Sequence, residues 1–442
     1  MKKLANMNKQ LLISFASFFI VCFSISAQDA EYARQIINDL ASPGMYGRGY
    51  VKKGDFKAAK YISKEFKSIG LEKMTGKYLQ PFSVSVNTFP GTVQLQLNDR
   101  LLIPGKDYLV SPETPTLKGN YKIYPVRYSD LAYGENWLKI LGESSGKFIV
   151  IDKTLPDVDI LKKEDVERID EILRFMKMHP EYPAAGTILC INDKLTWKGA
   201  TVEGSKPFFI VNTDIKPSEI ISAGINIKNV FYQSYQTNNL IGILPGKLYP
   251  DSFIVFTAHY DHLGLMGKTA LFPGANDNAS GVAMILNLAK YYASDENRSD
   301  YSMAFIAMGA EELGLLGANY YVDNPVFPLN QISFLINIDL AGNGEDGITV
   351  VNGTVHTRQF ELLKRINDTH QFLSQVKARN EACNSDHCAF YNKKVTCFFI
   401  YTMGGSTSYH DIYDTAESLP LTMFESYFNL LKAFTDSLQV IY

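Results

Sequence analysis

The chain has 442 residues, 46% of them apolar and 20% charged, with a formal net charge of −3. That length exceeds what one ordinary domain needs, and the composition allows a full packed core. With no basic excess and no long run of like charge, the sequence speaks against nucleic acid as a partner.

Residues 1–27 read as a cleavable secretory leader. Lys2, Lys3 and Lys9 precede an apolar run from Leu11 to Ile25, and Ala27 is a small residue at the expected cleavage point. The run is shorter than the ~20 residues a membrane-spanning helix needs. No second apolar stretch of that length follows, so no stable membrane anchor is expected after processing, and the mature protein is expected in a periplasm or outside the cell. Cleavage would remove three lysines and no acids, taking the charge from −3 to about −6. An exported chain can form disulfides. Cys383 and Cys388 are the pair that proximity favours, with free buried thiols as the alternative.

From Asp29 to about Leu71 the pattern is helical. Tyr32, Ile36, Ile37 and Leu40 repeat at helical spacing until Ser42-Pro43-Gly44. After a Gly47-Arg48-Gly49 loop, Ala58, Tyr61, Ile62, Phe66 and Ile69 mark a second amphipathic helix, closed by Gly70. Short alternating strands are predicted from Tyr78 to about Val110. Residues 116–233 read as a separate module, with strands at 146–152, 186–191 and 207–211 and a helix striped by Val166, Ile169, Ile172, Leu173 and Met176. No His, Asp or Glu cluster with ligand spacing occurs in it, so it is expected to cover or position something rather than to carry chemistry.

The chain then enters its main sheet near Asn238 to Gly246. Three apolar runs follow, and each stops at an acid or a histidine. Phe253 to Thr257 leads into Ala258-His259-Tyr260-Asp261-His262, Met303 to Met308 into Gly309-Ala310-Glu311-Glu312, and Phe334 to Ile338 into Asp339. Such runs, separated by helical segments, predict buried parallel strands, and ligands of open parallel sheets sit at the strands' carboxyl ends. Between the first two runs lies Gly274-Ala275-Asn276-Asp277-Asn278-Ala279-Ser280-Gly281, from which a helix opens. Further strands are predicted at Ile348 to Val351 and Val395 to Tyr401, and a last helix from about Thr422.

Zinc takes imidazole and carboxylate ligands, and a catalytic zinc keeps a position open. A bridged metal pair needs roughly five protein ligands including one shared carboxylate. The strand ends offer His259, Asp277, Glu312 and Asp339, and Ser408-Tyr409-His410-Asp411 supplies His410 as a fifth. Singly, each has a plainer reading: a structural histidine, a turn aspartate, or acids at a helix start. Their order and number carry the metal reading.

These blocks resemble the secreted co-catalytic two-zinc aminopeptidases, the bacterial leucyl aminopeptidase-like family. The residues that match are Ala258 to His262, Gly274 to Gly281, Glu311-Glu312, Asn337-Ile338-Asp339, Ser385-Asp386-His387, Tyr409-His410-Asp411 and, earlier, Tyr46-Gly47-Arg48-Gly49. The resemblance implies an α/β fold of the zinc exopeptidase, phosphorylase/hydrolase-like type, with a mostly parallel central sheet and helices on both faces. It also implies an inserted small β-rich α+β domain similar to the protease-associated domain. The division is then 1–27 leader, 28–115 first part of the peptidase domain, 116–233 insert and 234–442 catalytic domain.

By the same resemblance two Zn2+ ions are expected. His259 and Asp339 would hold one, Glu312 and His410 the other, and Asp277 would bridge them. Glu311 would be the general base, Asp261 would orient the His259 imidazole, and Tyr409 would donate a hydrogen bond to the oxyanion. Of the other histidines, His387 is the one expected to line the pocket, and His179, His262, His356 and His370 are left as structural or unassigned. The chain departs from the family after Ser385-Asp386-His387, at Cys388-Ala389-Phe390 and Lys393-Lys394-Val395, where substrate preference would be set. Peptides are the expected substrates. A carboxypeptidase, an acylamino-acid amidase, a single-zinc glutaminyl cyclase and a metal-free binding module are the competing readings. The ligand set speaks against the last two, while oligomeric state has no signal.

Overall fold

A computed structural model describes residues 26–439. Residues 1–25, with the charged and apolar parts of the expected leader and Cys22, lie outside the described residues. Among those described, no helix is long and apolar enough to cross a membrane.

The main sheet has eight strands. Their order is Leu79–Thr88, Val230–Leu244, Tyr301–Met308, Tyr249–His259, Ile332–Asp339, Cys397–Thr402, Ile348–Val351 and Val376–Arg379. The four central strands run parallel, and antiparallel pairings bring in the two flanks. Tyr249–His259 shows why its sequence is a continuous apolar run. Ile254, Phe256 and Ala258 pack into one core, with Ala283, Leu286 and Phe434. Phe253 and Val255 pack into the other, with Ala318, Tyr321 and Phe390. Side chains alternate with period two, and helices cover both faces, so neither set reaches water.

The parallel register brings the chemistry to one edge. His259 pairs with Met308, three and four residues before Glu311 and Glu312, and Asp339 pairs with Tyr401 on the neighbouring strand. The predicted helices form at Ser26–Leu40, Gly54–Ile69, Gly281–Tyr292, Leu316–Asp323 and Phe424–Leu438. A helix at Thr357–His370 had not been anticipated; it buries only Phe360, Leu363 and Asn367, too narrow a stripe to stand out.

A second eight-stranded sheet takes the order Arg100–Leu101, Val93–Leu97, Ser222–Ile227, Leu117–Arg127, Phe148–Asp152, Gly186–Cys190, Phe208–Val211 and Tyr108–Val110. Helices Gly134–Glu143 and Lys163–Met178 pack on one of its faces. This sheet starts at Val93, so the expected boundary at 116 falls inside it. The reason is long-range pairing: Val93–Leu97 alternates buried and exposed residues and pairs antiparallel with Ser222–Ile227, more than a hundred residues away. Nothing local in 93–110 distinguishes those strands from strands of the first sheet.

Cys383 and Cys388 form a disulfide, with Cα atoms 4.9 Å apart, and Cys190 and Cys397 are buried free thiols.

The Gly47-Arg48-Gly49 block ties the chain's beginning to the sheet's active edge. Gly47 has φ +60, and a Cβ there would run into the carbonyl oxygens of Phe272 and Gly264, so only glycine fits. Arg48 is fully buried. Its Nε donates to the Tyr260 carbonyl at 2.7 Å, Nη1 to Leu40 and Pro273 at 3.1 and 2.7 Å, and Nη2 to Gly274 and Asp277 at 2.7 and 3.1 Å. Burial lowers its pKa to about 10, opposed by Asp277 and Asp414, so it stays charged at neutral pH. A planar fork with five N–H groups matches five carbonyls in a way an ammonium cannot. Arg48→Met should destabilise the fold by about 3–5 kcal/mol, the scale for breaking a buried charged network. Arg48→Lys should recover only part of that, and urea unfolding of both variants checks it.

Candidate metal centre

The loop 274–280 holds Asp277 at the rim and is pinned by its own polar residues. The Asp414 carboxylate accepts the N–H groups of Asn276 and Asp277 at 2.8 and 3.0 Å. Asn276 Oδ1 accepts the Gly342 N–H at 2.9 Å, and Asn278 Nδ2 donates to the Ile338 carbonyl at 3.0 Å. Asn278 Oδ1 accepts the N–H of Gly281, the first residue of the following helix, at 2.9 Å. The Asp277–Asn278 peptide is cis. The Asn-rich motif thus stitches the loop to the strand ending at Asp339 and to its own helix.

Asp277 turns its two carboxylate oxygens to different partners. Oδ1 lies 3.3 Å from His259 Nε2, which is also 3.3 Å from Asp339 Oδ2. Oδ2 lies 3.0 Å from His410 Nε2, which is also 3.2 Å from Glu312 Oε2. All five residues singled out as metal ligands therefore meet, in two groups that share Asp277. Asp277 Oδ2 is fully buried and has no well-aligned hydrogen-bond donor.

Electrostatics at this rim is one-sided. Burial would lower the His259 pKa, but Asp339, Glu311 and Asp277 carry it well above its ordinary range. Burial is likewise overridden at His410, which Glu312 and Asp277 raise to about 11. Burial and Asp277 would raise Glu312, yet His410 and His262 bring it down to about 2. Burial, reinforced by Glu312, Asp386 and Asp339 against the opposing pull of His259, pushes Glu311 well above the usual carboxylate range. Asp386 is pushed up to about 8, first by burial and then by Asp261 and Asp339, with His259 opposing. The carboxyl groups of Asp261, Asp277, Glu311, Glu312, Asp339 and Asp386 crowd around three imidazoles. Crowded buried acids need positive charge, and imidazole plus carboxylate is a donor set that zinc accepts. Three convergent triads, His259-Asp277-Asp339, His259-Glu311-Glu312 and His262-Asp277-Glu312, each have ligand atoms within 4.8 Å of one another.

Three expectations change in detail. Asp261 was expected to orient His259 through its carboxylate. Instead its backbone carbonyl meets His259 Nδ1 at 3.2 Å, while the carboxylate stands 4.0 Å away and accepts the Glu311 N–H at 3.1 Å. Asp261 therefore touches both the ligand and the glutamate pair. His387 is turned into the protein rather than toward the five meeting residues. It is buried, stacks on Phe399 at 5.1 Å and meets the Ala382 carbonyl at 2.9 Å. Ala389, Phe390 and Val395 belong to the apolar core rather than to a substrate surface.

Two residues were missed. His262 is fully buried, with Nδ1 2.7 Å from Glu312 Oε1 and 3.9 Å from Asp277 Oδ1. Its signal was its place in the His259 block, one residue past Asp261. Asp386 was part of a matched block without an assigned role. Both of its carboxylate oxygens are buried without a partner, and it interacts electrostatically with His259, Asp261 and Asp339. Tyr409 is half-exposed, its ring stacked on His410 at 4.0 Å.

Residues 239–435 match the model of peptidase family M28. A 115-residue stretch is 38% identical to Aminopeptidase YwaD of Bacillus subtilis, covering 25% of this chain and 23% of that protein. A 113-residue stretch is 34% identical to Leupeptin-inactivating enzyme 1 of Streptomyces exfoliatus, covering 25% and 24%. These alignments span about a quarter of the length of the curated relatives. The fold is similar to that of BSAP, a zinc aminopeptidase from Bacillus subtilis, with a TM-score of 0.68 and 20% identity over 92% of this chain and 94% of that one.

Proposed function

We propose that this chain is an exported zinc-dependent aminopeptidase that binds two zinc ions. The observation that carries this reading is the Asp277 carboxylate, whose two oxygens face separate His-and-carboxylate groups at 3.0–3.3 Å. The M28 match over residues 239–435, which contain every one of these side chains, supports it.

In this reading His259 and Asp339 would hold one ion and Glu312 and His410 the other, with Asp277 shared between them. Bound there, zinc would supply Lewis-acid polarisation of the scissile carbonyl and a more acidic water. The protein's part is then proton traffic and orientation. Glu311 is adjacent to the ligand Glu312 but is left free of a metal role, and its backbone is anchored on Asp261. It takes a proton from the attacking water as the oxygen joins the carbonyl carbon. It gives that proton to the leaving nitrogen as the C–N bond breaks, so one carboxyl group serves as base and then as acid. His262 holds Glu312 Oε1 and fixes which oxygen is left for the ion. The Tyr409 hydroxyl donates to the developing oxyanion. The part expected at 116–233 is a protease-associated-like insert, a reading supported by the second sheet and its two helices.

Glu311→Gln should keep its full zinc content and lose about 10²–10⁴-fold in kcat, the usual worth of a general acid–base. Full activity in that variant would remove Glu311 from the mechanism. His259→Ala should bind one zinc fewer per chain by elemental mass spectrometry, and an unchanged metal content would contradict the ligand assignment. Peptides with a free N-terminus should be cleaved and N-blocked ones spared. The opposite preference would make the enzyme a carboxypeptidase or an amidase.

A further inference from the structure

The second sheet reaches into the metal centre. Its strand Gly186–Cys190 runs on into an irregular segment, 192–201, before the chain re-enters the same sheet at Phe208–Val211. Two backbone contacts join this segment to one candidate ligand reciprocally. The Trp197 N–H donates to the His410 carbonyl at 2.9 Å, and the Trp197 carbonyl meets His410 Nδ1 at 2.9 Å. Lys194 Nζ then grips the loop that carries His410 at three points. It pairs with Asp411 Oδ2 at 2.7 Å and donates to the Thr407 and Tyr409 carbonyls at 2.7 and 3.1 Å. Gly199 passes so close to the glutamate loop that a Cβ would stand 2.6 Å from Leu313 Cδ2 and 3.0 Å from the Glu312 carbonyl. The far side is fixed by the Trp197 indole, which donates to the Val110 carbonyl at 2.7 Å and stacks on Phe272 at 4.7 Å.

We infer that this segment of the second sheet positions the zinc ligand His410, with the Trp197 carbonyl and Lys194 as its positioning groups. The inference rests on the two-zinc reading of His410. A carbonyl acceptor at Nδ1 requires the proton on that nitrogen, so Nε2, which faces Asp277 and Glu312, is the nitrogen left for an ion to take. Ligating imidazoles are commonly fixed in this way by an acceptor at the other nitrogen. His410 also needs outside support because its backbone has φ +53, a left-handed conformation that side-chain-bearing residues rarely hold unaided. The loop before it contains Gly404 and Gly405, both at positive φ, so its own backbone offers little stiffness. The second sheet is therefore part of the metal site's construction, not only a cover over it.

The test compares the full-length chain with Lys194→Met and Asp411→Asn, which break the same ion pair from either side. Asp411→Asn keeps the Oδ1 acceptor that receives the Tyr413 N–H. Lys364→Met, which breaks the surface pair with Asp368, serves as control. Zinc equivalents are measured against buffered free zinc, and amide hydrogen exchange is followed over residues 406–412. Both site variants should need about 10–100-fold more free zinc to fill one of the two positions, the scale for loss of a ligand's outer partner. Exchange over 406–412 should quicken, and added zinc should restore turnover. The double variant should be no worse than either single one, and Lys194→Arg should resemble the parent. Unchanged zinc retention and exchange in both variants, with one zinc lost in His410→Ala, would overturn the inference and leave the metal assignment standing. Undiminished zinc content in His410→Ala would overturn both.

Discussion

The constraint on which this structure turns is that Asp277 must be buried, ionised and unspent. A buried carboxylate ordinarily collects every hydrogen bond within reach, and one so satisfied has no lone pairs left for a cation. Here the surroundings occupy the rest of the residue. Its N–H goes to Asp414, and its carbonyl goes to Arg48. The flanking Asn276, Asn278 and Ser280 bond to backbone at the end of the strand Ile332–Asp339 and in the turn after it rather than to Asp277 itself. What remains for the two carboxylate oxygens are other potential ligands. The Asn-rich loop is thus less a turn than a device for holding one side chain while keeping it free.

The same economy separates the adjacent glutamates. Glu311 and Glu312 follow one strand and differ by one residue, yet one is drawn down to about 2 and the other is pushed well above the carboxylate range. Burial acts on both. The difference is company: Glu312 has His262 and His410 at hydrogen-bonding distance, whereas Glu311 has only the pull of His259 against burial and the charges of Glu312, Asp386 and Asp339. Neighbouring carboxyl groups whose environments push them apart are natural candidates for different roles, one binding and one moving a proton.

Much of this was legible because it depends on strand ends. A short apolar run such as Phe253 to Thr257 reads as a buried strand whose closing polar residue lies at the sheet's edge, so the places of His259 and Asp339 were legible, while their role showed only in the whole ordered set. Residues that act through three-dimensional return were not legible. Asp414 and Arg48 meet at Asp277 from 137 and 229 residues away. The strand at Val93–Leu97 finds its sheet only through Ser222–Ile227. Within Ser385-Asp386-His387 the sequence reading puts the histidine at the pocket and gives the aspartate no role. The backbone there turns the aspartate toward the charged rim and the histidine into the stack with Phe399. Which side of a short helix faces the site is a matter of phase, and a three-residue block does not fix it.

The second sheet bears on how the rim around His410 is held in place. A domain attached only through its ends would leave the 404–411 loop to its own glycines, and His410 would have to hold a left-handed backbone alone. Instead the contacts converge: Trp197 closes a two-point ring with His410, Lys194 adds a buried acid and two carbonyls, and Gly199 sits against Glu312. Each is modest, since single hydrogen bonds contribute roughly 0.5–1.5 kcal/mol. Together they act on one residue with a left-handed backbone, whose Nε2 lies 3.0 Å from Asp277. Absence of ligand-spaced residues in 116–233 therefore says nothing about distance from the chemistry, because a carbonyl group, which every residue has, is the part being used.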